Sequence, residues 1–151
     1  MQVKLIDREA VVYLVDELEA FEKDKAIKSG LRAASGVLIR KGRSNLKQRL
    51  KGTGKGSLAG AFVTKVKRNK LGSLAGFRRS TKLTQWSKAG NHAHLVDRGT
   101  RKRPHPITGN SGIMLANNFW SDARVSEESN MMNALFKGVE RAVQRINNRR
   151  K

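Results

Sequence analysis

Leu58–Arg68 reads Leu-Ala-Gly-Ala-Phe-Val-Thr-Lys-Val-Lys-Arg. In an extended chain Phe62, Thr64 and Val66 fall on one side, and Val63, Lys65 and Lys67 on the other. That is the period-two pattern of a half-buried strand. The stretch decides the fold because the segments far to either side of it carry helical spacing. A strand here, between helical segments, makes an α+β domain. Asn69–Gly72 supplies a turn, Phe77–Trp86 is the expected return strand, and His92–Thr100 is a third candidate. The pentapeptide Gly-Ser-Leu-Ala-Gly stands at 56–60 and again at 72–76. It fits two similar strand starts, although five common residues recur by chance almost as readily.

Toward the amino terminus, Val11, Leu14, Val15, Leu18 and Phe21 recur at three- and four-residue spacing behind Asp7, a side chain suited to an N-cap. Ile27, Leu31, Ala34 and Leu38 continue the pattern, extending toward Leu46 and Leu50. Gly30 and Gly36 interrupt it, each weakening a helix by ~1 kcal/mol relative to Ala. The region between Arg8 and Leu50 therefore reads as two helices or one long bent helix. Toward the carboxy terminus, residues 101–118 carry the only two prolines, Pro104 and Pro106, and read as a long loop. Met132, Leu135, Val139, Ala142 and Ile146 then mark an amphipathic helix, with Glu127 and Glu128 at its start. The expectation is one α+β domain over 1–151: helices at about 8–50, a small antiparallel sheet at about 58–100, a loop at about 101–118 and a helix at about 129–147.

Charge narrows the class of partner. The 151 residues hold 32 Lys and Arg against 12 Asp and Glu, a formal net charge of +20. Seven of the acids lie in residues 1–24, and residues 25–96 contain eighteen bases and no acid. Such a chain seeks polyanions or acidic proteins, unless the run is simply a solvated face. There is no cysteine, which removes disulfides, thiolate metal sites and cysteine nucleophiles together. The longest apolar run, Ala10–Val15, falls far short of the ~18–20 residues of a membrane span. The order of charges near Lys4, Asp7 and Glu9 is not that of a signal peptide, so a soluble protein is expected.

Enzyme chemistry finds no support in the pattern. Lys51–Ser57, Lys-Gly-Thr-Gly-Lys-Gly-Ser, superficially resembles a phosphate-binding loop, but Gly56 stands where the magnesium-binding hydroxyl belongs. No nucleophile elbow and no convergent carboxylate pair is present. His92 and His94 would share a strand face near Asp97 and His105, yet no third ligand is fixed and the neighbouring cations oppose a metal. No catalytic, cofactor-binding or metal residue is therefore assigned. Lys65, Lys67, Arg68, Lys70, Arg78, Arg79 and Lys82 would cluster around the proposed hairpin, as contacts to DNA or to an acidic partner. With only eight aromatics in the chain, and Phe21 and Phe62 expected in the core, base stacking is not favoured. Such binding would follow the backbone and ignore sequence.

Ala93-His94-Leu95-Val96-Asp97-Arg98-Gly99-Thr100-Arg101-Lys102-Arg103 resembles the segment that marks the tail-completion (head–tail joining) proteins of long-tailed bacteriophages. In that family a small-His/Tyr-apolar-Val-acid-x-Gly-Thr run ends a strand and leads into a basic, proline-containing loop. The other elements stand in the family's order: a helical region, a Thr-Gly stretch at Thr53-Gly54, a basic strand, the signature, and a closing helix. One departure concerns the loop, where Ile107 rather than an aromatic follows Pro106; Phe119-Trp120 comes later and would anchor from a displaced position.

The resemblance implies a structural virion protein of the neck, with no enzymatic activity and no cofactor. It would form a homo-oligomeric ring, for instance a hexamer, between head connector and tail tube. His94, Leu95, Val96, Gly99, Thr100, Arg101, Lys102, Arg103, Phe119 and Trp120 would contact subunits or partners. Nonspecific contact with genomic DNA in the channel is compatible, although a strongly attractive lumen would retard passing DNA. A closing ring needs two different complementary faces, which the acid-rich Asp16–Asp24 and the acid-free 25–96 are suited to supply. The alternatives are a sequence-nonspecific nucleic-acid-binding protein and, less favoured, a basic ribosome-associated protein.

Overall fold

The computed structural model describes Val12, Val15, Asp16 and residues 18–49, 57–79, 90–102, 107, 109 and 112–150. The architecture is α+β, with a long helix before a small antiparallel sheet and a long helix after it. Helix α1 is Ala20–Arg49, a single helical turn α2 is Ser57–Gly60, and strands β1 (Phe62–Val66) and β2 (Ser73–Phe77) form a two-stranded sheet. Helices α3 (Ala93–Arg98), α4 (Phe119–Ser126) and α5 (Glu128–Arg150) follow. The chain divides into two compact units: Met1–Arg40, Thr64–Gly76 and Ser126–Lys151 form the first, and Lys41–Val63 with Phe77–Val125 the second.

In the first unit the α1 stripe is buried at Leu31, Ala34 and Leu38, whereas Ile27 is half-buried and its neighbour Ala26 takes the core position. Met131, Leu135 and Val139 of α5 are buried too. The two helices meet at glycines: a Cβ on Gly30 would lie 2.6 Å from the Leu135 carbonyl oxygen, and one on Gly138 2.8 Å from Gly30 Cα. Gly30 therefore serves close helix approach, not merely interruption. One polar pair sits in this core. Ser35 Oγ donates to the Leu31 carbonyl at 2.8 Å, so across the 2.6 Å contact the Ser73 hydroxyl must donate to Ser35. Ser35→Ala strands the Ser73 hydroxyl without its acceptor and is expected to lower stability by about 1 kcal/mol, read from the urea midpoint.

In the second unit the core is aromatic. Phe62, Phe77, Phe119 and Trp120 pack together, with the Phe62 and Phe77 rings 4.7 Å apart and those of Phe77 and Trp120 5.2 Å apart in an edge-on arrangement. The Trp120 ring lies against Gly42, where a Cβ would be 2.7 Å away. Leu46, Ala61, Ala93 and Ala123 complete the buried set. The hairpin register follows from two bonds, Lys67 N–H to the Gly72 carbonyl and Arg78 N–H to the Ala61 carbonyl. They place Phe62 opposite Phe77, and Arg68–Leu71 form the connecting loop, one residue earlier than the expected Asn69–Gly72 turn.

Several expectations are corrected. The sheet has two strands among the described residues, not three. Within His92–Thr100, Ala93–Arg98 is a helix rather than a strand: Val96 N–H reaches the His92 carbonyl and Gly99 N–H the Leu95 carbonyl, each four residues back. Burial of Ala93 and Asp97, also four apart, marks the helical face. The first strand is shorter than read, because Leu58–Gly60 belongs to α2, and of the return strand only Phe77 lies in β2 while 80–89 lie outside the described residues. Thr64 is exposed although Phe62 on the same strand face is buried, so the alternation holds only at the strand's start. Phe21, expected in the core, is 74% exposed; α1 begins only at Ala20, and Asp16, Leu18 and Glu19 are not helical. On α5 the buried methionine is Met131 rather than Met132. The proposed caps and helix before Val12 and the glycine-rich 51–56 lie outside the described residues.

Candidate interface around the Ala93–Arg103 segment

The signature segment organises the second unit through Asp97. Its carboxylate is nearly buried, at 5% exposure, and belongs to a residue on α3. Oδ1 accepts the backbone N–H of Trp120 at 2.7 Å and of Ser121 at 3.2 Å, while Oδ2 accepts the Ser121 hydroxyl at 2.6 Å. Those amides are the orphan donors of the first turn of α4. A side chain 23 residues earlier thus does the work of an N-cap and places negative charge at the positive pole of the helix. The Asp97 carbonyl also accepts Asn118 N–H, and the Val96 carbonyl accepts Asn117 N–H.

Gly99 and Thr100 continue the same clasp. Gly99 has φ +75°, a conformation suited to glycine, and its Cα passes so near residues 114–116 that a Cβ would meet the Met114 carbonyl oxygen at 2.6 Å. Thr100 N–H donates to the Met114 carbonyl and Thr100 Oγ1 accepts Met114 N–H. Arg49 closes the arrangement, donating to the Asn117 carbonyl and pairing with Asp122 at 2.7 Å. The Asp-x-Gly-Thr part of the segment therefore forms a backbone clasp.

The clasp holds Ile113, Met114 and Leu115 outward, with Leu115 86% exposed. Arg101 and Lys102 are exposed beside it in the sequence, as is His94, whereas Leu95 and Val96 are half-buried. Phe119 is fully buried and Trp120 half-buried, both in the aromatic cluster. Arg103 lies outside the described residues. Of the basic hairpin set, Lys65, Lys67, Arg68 and Lys70 belong to the first unit and Arg78 and Arg79 to the second; Lys82 lies outside the described residues. Of the six that are described, all except Lys67, which is half-buried, are exposed.

The histidine pair does not form on a strand face. On α3 and its N-cap, His92 and His94 are two residues apart and point to nearly opposite sides of the helix. Among the described residues no group of three His, Asp or Glu is placed to hold a metal ion, and no helix is long and apolar enough to cross a membrane. The outward Ile113–Leu115 strip was missed in the sequence, although three consecutive apolar residues inside a loop are a readable signal. Comparison with family models, curated proteins and solved structures returns no match.

Proposed function

We propose that this chain is a structural, non-catalytic protein of a phage neck that joins head connector to tail as a ring. The reading begins from the resemblance of Ala93–Arg103 to the tail-completion signature. The observation that carries it is what the signature residues do. They spend their hydrogen-bonding capacity on holding a backbone frame, and the frame's outward product is an exposed apolar strip, Ile113–Leu115. A contiguous exposed apolar strip is a surface for protein contact, not for turnover of a small substrate.

The test is the mass in solution by size exclusion with light scattering, at low and at high salt. The parent chain is expected to give one discrete multiple of 16.8 kDa that persists at high salt, because apolar contacts are not screened. Leu115→Asp should return it to a monomer of unchanged fold. A parent that stays monomeric at every concentration and salt level defeats the self-assembling ring.

A further inference from the structure

The first unit contains a second surface that the signature does not touch. An open groove of about 440 Å³ runs between α1 and the last third of α5, beside the Gly30–Gly138 crossing. Five cations line it: Lys25, Lys28 and Arg32 from α1, Arg145 and Arg149 from α5. None of the described lining residues is a carboxylate, and the only apolar ones are Ala142 and Ile146. Lys28 is partly engaged, donating to the Arg68 carbonyl at 2.8 Å and facing Asp24 at 3.4 Å, and Lys25 stands over the Phe21 ring. The three guanidiniums have no such partner among the described residues.

We infer that this groove binds the phosphodiester backbone of a nucleic acid. Lys28–Arg32 and Arg145–Arg149 are like-charged pairs at four-residue spacing, an arrangement that destabilises each helix until an anion neutralises it. The acids of residues 1–24 of a second copy are the competing anion, but each copy carries a net +20 overall, so a polyanion such as a nucleic acid is the better match for the groove. A protein interface would be built on a buried aromatic or aliphatic anchor, and Ala142 and Ile146 offer little of one. Cations repeat about every 6 Å along each wall at 1.5 Å rise per residue, and three of them carry the guanidinium fork that takes phosphate bidentately. The inference rests on the groove alone and stands or falls separately from the neck reading.

The experiment titrates a fluorescein-labelled duplex of arbitrary sequence with the full chain across roughly 50 to 200 mM salt. The triple variant Arg32→Gln, Arg145→Gln, Arg149→Gln is compared with a charge-matched control, Arg40→Gln, Lys47→Gln, Arg124→Gln. With three fewer phosphates neutralised, the groove variant should show a log–log salt slope smaller by about 2.7 and affinity lower by about a hundredfold near physiological salt. The control should keep the parent slope. If the glutamine variant fails to fold by circular dichroism, the all-lysine variant at the same three positions should keep the slope and bind several-fold more weakly. Equal drops in affinity for groove and control variants, an all-lysine variant that binds like the parent, or no duplex binding by the parent overturns the inference. Tighter binding of polyglutamate than of duplex, abolished in the groove variant, also overturns it and identifies an acidic protein as the occupant.

Discussion

Asp97→Ala is expected to lower the free energy of unfolding by about 3 kcal/mol. The carboxylate accepts three hydrogen bonds at the start of α4, and two of the donors are backbone amides that have no other partner in the helix. Alanine leaves those part-buried donors unpaired, which costs more than a surface cap worth about 1 kcal/mol. Asp97→Asn keeps one acceptor oxygen for the amides and removes the charge, so about half the effect should remain. Urea denaturation with unchanged slope would read both values. An alanine variant within about 0.5 kcal/mol of the parent would show that the clasp is not what holds α4 in place.

The second large effect concerns glycines that obey opposite rules within one helix. Gly30→Ala gains up to ~1 kcal/mol in helix propensity, yet its Cβ would stand 2.6 Å from the Leu135 carbonyl oxygen and 2.6 Å from Val139 Cγ2. Overpacking against backbone commonly costs about 1–3 kcal/mol and here exceeds the gain, for a net destabilisation of about 2 kcal/mol. Gly138→Ala should behave alike, and the double variant should fall short of the two effects combined, because the first methyl already separates the helices. Gly36→Ala should do the reverse. Its Cβ meets only the end of the Arg40 side chain at 3.4 Å, so stability should rise by roughly 0.5–1 kcal/mol. Thermal melts of the three single variants decide the matter by sign, and a destabilised Gly36→Ala or a stabilised Gly30→Ala would refute the crossing as described.

Much of the helical framework was legible in sequence because it is written in local spacing. Leu31, Ala34, Leu38 and Leu46 on α1 and Leu135 and Val139 on α5 are buried as their periodicity requires. What spacing does not carry is tertiary choice. The shared Ser-Leu-Ala-Gly is a helical turn at Ser57–Gly60 and strand at 73–76, so four identical residues take their conformation from what surrounds them. His92–Thr100 shows the same limit, since Leu95-Val96 suits a strand while Ala93 and Asp97 pack as a helical face. The signature residues were legible as a motif, but the role of Asp97 was not, because its partners Trp120 and Ser121 are two dozen residues away. Helix α4 was missed for the related reason that its cap is supplied from α3. The basic groove was readable in principle: Lys25, Lys28 and Arg32 share a face, as do Arg145 and Arg149, but nothing local says that the two rows meet.

The paired bonds between Thr100 and Met114 have a consequence for how this chain can change over generations. They close the frame on both sides of the segment between them, so that segment's length is uncoupled from the clasp. Doubling a flexible loop adds only about 0.6 kcal/mol of closure entropy. Insertions, deletions or wholesale exchange there leave Asp97, Gly99 and Arg49 with every bond they now make. The frame can be inherited intact while the loop it carries is rewritten.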